Sequence, residues 1–189
     1  MSEYQFDLQF QNIIYQKTDL DFKEFESCSF TNCQFSNCHF TAVTFIDCVF
    51  DNCILDHAKI NHVGLRTVHF INSKIRDVNF SMSQRLIFEI QFTNCVLDFS
   101  KFYDLKMKDT LFKNCSLIAV DFMQTDLTAA IFDQCDLHKT EFEKANAQKT
   151  NFKTSFNYTI DPKKTKIKNA IFSKDQLKGL LFKHEIVVV

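Results

Sequence analysis

Residues 25–55 read FESCSFTNCQFSNCHFTAVTFIDCVFDNCIL, and an apolar residue falls at every fifth position of this stretch. The same step continues without a miss to Phe80, and a second unbroken series runs from Phe92 to Phe152. Because α-helices repeat near 3.6 residues and strands near 2, neither regular element explains this step. We name these five-spaced residues the centres and expect their side chains to share one interior.

A longer period of twenty residues lies over the step of five. The sequence Phe-x-Asn-Cys, or a close variant of it, begins at Phe30, Phe50, Phe70, Phe92, Phe112 and Phe132. A fixed period of this size predicts a solenoid in which each turn buries its apolar side against its neighbours. Four fives per coil would stack residues twenty apart. One column would contain Phe10, Phe30, Phe50, Phe70, Phe92, Phe112, Phe132 and Phe152, and a corner column would contain Asn12, Asn32, Asn52, Asn72, Asn94 and Asn114.

A smaller side chain lies two residues before most centres, and all eight cysteines occupy this pre-centre position. Stacked cysteines such as Cys33 and Cys53 would be near enough for a disulfide by Cα distance, yet stacked side chains point the same way. The chain has no CxxC pair, and spacings of five do not suit a tetrahedral zinc site. We interpret the cysteines as small core residues, with a metal or redox role as the alternative. They are Cys28, Cys33, Cys38, Cys48, Cys53, Cys95, Cys115 and Cys135.

The two series of centres are out of step by two residues between Phe80 and Phe92. A small insertion near residues 83–86, with Ile87 as the next centre, keeps the columns aligned. A longer loop that replaced one face of a coil would break them. The sequence therefore favours a bulge that displaces Arg85 or Leu86 outward.

The character of the chain changes after residue 157, so we divide it into a repeat region, 1–157, and a C-terminal cap, 158–189. Asp161 followed by Pro162 predicts a short turn. Ser173–Gln176 is a capping box, which predicts a helix after it. The final segment, Glu185–Val189, predicts a strand. The helix would carry Leu177, Leu180 and Leu181 on one face.

The composition and the missing motifs argue against several classes of function for this chain. No apolar run approaches the roughly 20 residues that a membrane helix needs, and the first residues lack the features of a signal peptide, which predicts a cytoplasmic protein. Gly-rich phosphate loops are absent and no Ser-His-Asp order can be defended, so we expect no enzyme and no cofactor. The cysteine spacings do not match zinc ligands, so we expect no metal. Direct nucleic-acid binding is disfavoured because lysines cluster only at 163–168. Five histidines fall at outward positions, namely His39, His57, His62, His69 and His138.

From about Tyr15 to Phe152 the pattern is similar to that of the pentapeptide-repeat family. The resemblance implies an all-β fold, a right-handed quadrilateral parallel β-helix, whose centre and pre-centre side chains fill the lumen. The C-terminal helix and strand resemble those of Qnr and MfpA type members, in which this segment joins two rods end to end in a two-fold dimer. The matching dimer-interface positions here are Leu177, Leu180, Leu181, Ile186 and Val187.

The same resemblance implies binding to DNA gyrase and topoisomerase IV, because the rod imitates duplex DNA and protects the enzyme from quinolones or inhibits it. Mimicry requires negative charge along a stiff rod. Residues 1–157 carry 20 acidic and 15 basic residues, net −5, and residues 158–189 carry 3 and 7, net +4. The candidate partner-facing acids are Asp56, Asp77 and Asp98 on one side and Asp47, Glu89 and Asp109 on another.

The alternative function is a protein-interaction scaffold without a defined partner. Outward apolar residues support it, because a contiguous apolar patch marks a partner site. Phe88 and Phe99 lie near the insertion and would form such a patch with Tyr103. The full set of outward apolar residues is Ile46, Ile54, Ile71, Phe88, Phe99, Ile118 and Met123.

Overall fold

The computed structural model describes residues 3–86 and 88–186, which wind into one parallel β-solenoid. The predicted quadrilateral parallel β-helix is confirmed. Its strands are β1 (Glu3–Phe6), β2 (Gln9–Gln11), β3 (Lys23–Glu26), β4 (Ser29–Thr31), β5 (Thr44–Ile46), β6 (Val49–Asp51), β7 (Gly64–Ile71), β8 (Phe88–Thr93), β9 (Leu111–Lys113) and β10 (Ile131–Asp133). No helix among the described residues is both long and apolar enough to cross a membrane.

The coils pair in parallel at a register of twenty. Phe25 lies beside Phe45, and Phe30 lies beside Phe50. Isolated bridges continue the same spacing on the other faces and reach Ile171, which pairs with Asn151. The solenoid register therefore continues into the C-terminal cap.

The predicted phenylalanine column is confirmed as a stack of rings along the lumen. Successive centroids lie between 4.7 and 5.3 Å apart from Phe10 to Phe172. Other centres meet this column edge-on, such as Phe122 against Phe132 at 5.7 Å. Offset stacks and edge contacts are the arrangements that aromatic rings prefer, so the lumen is a packed core.

Each coil turns its corners through residues with left-handed backbone. Their φ angles lie between 51° and 65°, and none of them is glycine. Asn and Asp tolerate this conformation because their short side chains form local hydrogen bonds. The asparagine corner column is confirmed, and in most of it Nδ2 of one asparagine donates to Oδ1 of the asparagine one coil away. These bonds join Asn32 to Asn12 (3.1 Å), Asn52 to Asn32 (2.7 Å), Asn94 to Asn72 (3.0 Å) and Asn114 to Asn94 (3.1 Å). Asn72 instead donates to Oδ1 of Asp51 (2.9 Å), so the ladder of bonds is interrupted there.

Pre-centre side chains tie each coil to the one before it. Sγ of Cys53 donates to the carbonyl of Phe30 (3.2 Å), and Oγ of Ser155 donates to the carbonyl of Phe132 (2.8 Å). Both bonds span 23 residues, and Thr165 repeats the contact. Cys, Ser and Thr suit this position because each is small and carries one donor. All eight cysteines are free and buried, which confirms their interpretation as core residues.

We expect the native thiols to resist alkylation. Burial raises the pKa of Cys48 to about 11 and that of Cys53 to about 12, and the thiolate is the reactive form. A thiol reagent at mildly alkaline pH should label no cysteine in the native protein and all eight in denaturant. Rapid native labelling of Cys53 or Cys115 would contradict an inward-facing column.

The insertion lies at residues 85–87. The amide of Gln84 still bonds to Val63 in the twenty-residue register, but Phe88 pairs with Leu65 and Ile90 pairs with Val68. Relative to the twenty-residue register, Phe88 is displaced by three residues and Ile90 by two. The chain therefore gains three residues before Phe88 and loses one after it, a net insertion of two. Leu86 is fully exposed, as expected for the bulge. Arg85 also points outward and forms an ion pair with Asp104 at 2.6 Å.

Two outward assignments are wrong. Phe88 is partly buried and packs edge-on against Phe80 (6.4 Å), because the shifted register places it in the lumen column. Ile87, the predicted centre, lies outside the described residues. Ile46 is 8% exposed because it sits between Glu26 and Arg66, whose longer side chains flank it on neighbouring rungs.

The C-terminal cap begins with the predicted turn, where Oδ1 of Asp161 accepts the amide of Lys163 (2.9 Å). The predicted helix is present but short. A 3-10 turn (Lys174–Gln176), capped by Ser173, leads into α1 (Lys178–Leu181) and a second 3-10 turn (Phe182–His184).

The predicted terminal strand, Glu185–Val189, does not begin where the sequence places it. Glu185 ends the helical segment with left-handed backbone, and neither Glu185 nor Ile186 is in a strand. Residues 187–189 lie outside the described residues.

Candidate partner-binding surfaces

Four of the six candidate acids are exposed. Asp47 and Asp109 occupy left-handed corners, and Glu89 lies on β8. Asp77 also occupies a corner, where its Oδ2 lies 3.0 Å from Nδ1 of His57. Asp47, Glu89 and Asp109 follow one column of the coil register, and Asp77 lies in another column.

Asp56 is not a partner-facing acid, and the prediction for it is wrong. Its side chain is 10% exposed, and its carboxylate accepts bonds from Nε (3.0 Å) and the backbone amide (2.9 Å) of Arg76, twenty residues on. Burial alone would raise the pKa of Asp56, but the hydrogen bonds from Arg76 outweigh it and lower the pKa. Asp98 is half-buried in the same column and accepts bonds from Ser116 and Ile118. Both carboxylates therefore accept hydrogen bonds that link one coil to the next.

Arg76→Ala should raise the pKa of Asp56, because desolvation remains while the guanidinium is lost. In the native protein the lowered pKa contributes stability that is present above the unfolded-state pKa of Asp56. This stability is lost as pH falls through the lower folded-state pKa. NMR titration of Asp56 and urea unfolding across the acid range measure both effects. An unchanged pKa in the variant would contradict this pairing.

The C-terminal end carries an apolar surface. We define the C-terminal patch as Leu177, Leu181, Phe182 and Ile186, which are between 38% and 55% exposed. Of the other predicted dimer-interface residues, Leu180 packs against the core and Val187 lies outside the described residues. Phe182 was missed by sequence reasoning, although its place directly after Leu181 in a helical segment was a usable signal.

A second set of exposed apolar side chains lies on the insertion and on the two coils next to it. We define the bulge surface as Met82, Leu86, Phe99 and Tyr103, all of them exposed. The Arg85–Asp104 pair anchors the bulge to the coil that carries Tyr103. The predicted patch of Phe88, Phe99 and Tyr103 is therefore wrong in one member, because Phe88 turns inward.

The described residues contain no group of three or more His, Cys, Asp or Glu side chains that could hold a metal ion. A groove beside the cap is open, and four of its charged groups form two ion pairs. Lys164 contacts Glu143 at 2.8 Å, and Lys183 pairs with Asp161.

The architecture matches solved structures over its whole length. A trypsin-treated variant of QnrB1, described as a plasmid-mediated fluoroquinolone resistance protein, superimposes with a TM-score of 0.81 at 13% identity, covering 100% of both chains. A second trypsin-treated variant gives 0.65 at 14% identity over 98% of this chain, and full-length QnrB1 gives 0.52 at 15% over 97%; each is matched over 100% of its own length. No curated protein sequence matches the chain.

The sequence also matches the pentapeptide repeat region at residues 23–85 and 86–159, which together span well over half of the chain. These two stretches contain the five-residue step, the corner asparagines and the stacked rings seen in the structure. The protein therefore belongs to the pentapeptide-repeat family.

Proposed function

We propose that this chain is a cytoplasmic, non-enzymatic binding protein whose rod occupies the DNA-binding surface of a type II topoisomerase, DNA gyrase or topoisomerase IV. The observation that carries the proposal is the full-length match in architecture to QnrB1, a fluoroquinolone resistance protein, with every part of both chains covered. At 13% identity this likeness establishes the fold, and the activity is our inference from it.

The surface of the rod is compatible with this role. A packed lumen of stacked rings makes the coils stiff, and parallel strands about 4.8 Å apart place outward carboxylates at regular intervals along it. Exposed acids occur on both halves of the rod, for example Asp47 at one corner and Asp109 several coils later. A surface that binds duplex DNA responds to such an array because basic clefts attract dense negative charge.

Self-association through the C-terminal patch is part of the proposal. Its exposed apolar side chains would be buried in a homodimer, and Leu180 would support them from the core side. Size exclusion with light scattering should give about twice the chain mass of 22.2 kDa. Leu181→Glu should yield the monomer. A wild-type monomer at high concentration would overturn this part of the proposal.

A supercoiling assay tests the main proposal. Purified protein is titrated into DNA gyrase with relaxed plasmid, with and without a quinolone. We expect either inhibition of supercoiling or its rescue from the drug at micromolar protein. The control is the same protein unfolded by heat, which keeps composition and charge but loses the rod. Equal behaviour of folded and unfolded protein would overturn the proposal, and so would the absence of any effect.

The second candidate function is an interaction scaffold, and the bulge surface favours it. Fully exposed Leu86 and the nearby Phe99 and Tyr103 supply apolar contact area that a charge-based mimic does not require. The double variant Leu86→Ser, Phe99→Ser should still act on the topoisomerase as the wild type does, because a charge-based effect does not use these apolar side chains. Loss of the effect in this variant, with the fold intact, would favour apolar recognition through the bulge.

A further inference from the structure

The negative charge of the rod is concentrated at one end. Residues 3–51 contain eight acidic and two basic residues, a net charge of −6, whereas residues 52–157 contain twelve acidic and thirteen basic residues, net +1. The acidic excess of the whole repeat region therefore lies in its first coils. The eight acids are Glu3, Asp7, Asp19, Asp21, Glu24, Glu26, Asp47 and Asp51.

These acids are also less neutralised than those that follow. Among the described residues, the only ion pair made by the eight acids joins Glu3 to Lys23, at 3.4 Å. The other six pairs use acids from Asp56 onward. Charges that are already paired contribute little to the recognition of a second molecule, so the first coils dominate the field that a partner meets.

The same coils expose a group of apolar side chains. Four of them, Tyr4, Phe6, Ile14 and Phe22, are more than half exposed, and Leu8 is 41% exposed. The rings of Tyr4 and Phe6 stack at 6.4 Å, which holds them together on the outer side of β1. Within the described residues, β1 pairs with β3 alone and β2 pairs with β4 alone, so each has one edge without a strand partner. Exposed aromatic side chains are typical of protein interfaces.

We propose that the first coils, residues 3–51, form the docking surface for a basic protein partner. Charge complementarity selects this occupant. A lysine- and arginine-rich protein surface gains Coulomb energy against a net charge of −6, whereas nucleic acid and a second copy of the same end are repelled. Aliphatic portions of lysine and arginine would cover the exposed rings of Tyr4 and Phe6. This inference rests on the proposed function and assigns its contact to one end of the rod.

Matched charge variants test the assignment. The test variant carries Asp7→Asn, Glu24→Gln and Asp47→Asn. The control carries Asp121→Asn, Asp133→Asn and Glu141→Gln, none of which is a candidate partner-facing acid. Each variant removes three negative charges that form no ion pair among the described residues, and asparagine suits the left-handed corners at 7 and 47. The folding of both variants is checked by urea unfolding.

Affinity for DNA gyrase is measured over a range of salt concentrations. We expect the test variant to lose about tenfold in affinity and to show a shallower salt dependence, because three attractive charges are missing from the contact. The control should lose less than about threefold on the same reasoning. Phe6→Ser should also weaken binding without changing the salt slope. Equal losses in the two charge variants would overturn the assignment while leaving the topoisomerase proposal in place.

A second measurement needs no topoisomerase. Carbodiimide coupling joins carboxylates of the full chain to an oligolysine peptide, and mass spectrometry maps the joined residues. Coupling concentrated at residues 3–51 supports the docking surface even when gyrase does not bind. Coupling spread evenly over the rod, or concentrated after residue 52, overturns it.

Discussion

Phe112→Ala should lower the free energy of unfolding by about 3–5 kcal/mol, the usual cost of removing a fully buried aromatic side chain. The ring is 0% exposed and stacks on Phe92 at 5.3 Å and on Phe132 at 4.8 Å. It also meets Phe102 and Phe122 edge-on. The cavity would lie in the middle of the column, where neighbouring coils are held at fixed spacing by their backbone ladders and cannot close it. Urea unfolding monitored by circular dichroism measures the loss.

Phe99→Ala is the matched control. This phenylalanine is 57% exposed at a left-handed corner, so its truncation removes little buried area. The change should alter stability by less than about 1 kcal/mol. Similar losses at the two positions would mean that the lumen is not the main source of stability.

Gly179→Ala should destabilise the cap, although helix propensity alone predicts the opposite. An alanine within a helix is favoured over glycine by up to about 1 kcal/mol. Here the added Cβ would lie 2.1 Å from the carbonyl oxygen of Tyr158 and 2.8 Å from its Cδ2. That contact cannot be relieved by a side-chain rotation, because the nearest atom belongs to the backbone. We expect a net loss of about 1–3 kcal/mol, the usual cost of overpacking.

Hydrogen exchange locates this effect, because the amide of Ile160 donates to the carbonyl of Gly179 at 3.0 Å. Exchange at Ile160 should accelerate in the variant, while amides in the central coils keep their protection. Gly64→Ala is the control: its Cβ would meet Thr44 Cγ2 at 3.0 Å, the end of a side chain that can move. A gain in stability at position 179 would contradict the close approach of the cap to Tyr158.

Much of the fold follows from the spacing of side-chain types. The five-residue step identifies inward positions because only they exclude polar groups, and the twenty-residue period identifies which of them stack. Phe112 and Cys115 could therefore be placed in the lumen from sequence alone. Asn114 could be placed at a corner for the same reason, because its residue type tolerates left-handed backbone.

The pairing of outward charges could not be settled in this way. The step shows that Asp56 lies outside the lumen, but not that Arg76 covers it from the next coil. The available signal was an acidic and a basic residue twenty positions apart. This spacing predicts a contact only once each coil is known to contain twenty residues. The position of the insertion was predicted correctly, but the shift that it causes in each of the following residues was not. Adding three residues and losing one, rather than adding two, brought Phe88 inward.

The constant register also governs how such a molecule can change in length. An inserted or deleted segment preserves the stacking of the rings when it contains a whole coil of twenty residues. A shorter insertion preserves it when the extra residues project outward from the rod, as Leu86 does. Tandem duplication of one coil, for example residues 112–131, would extend the rod by about 4.8 Å with contacts of kinds already present. Evolution and protein engineering can therefore change the length of the rod in steps of one coil.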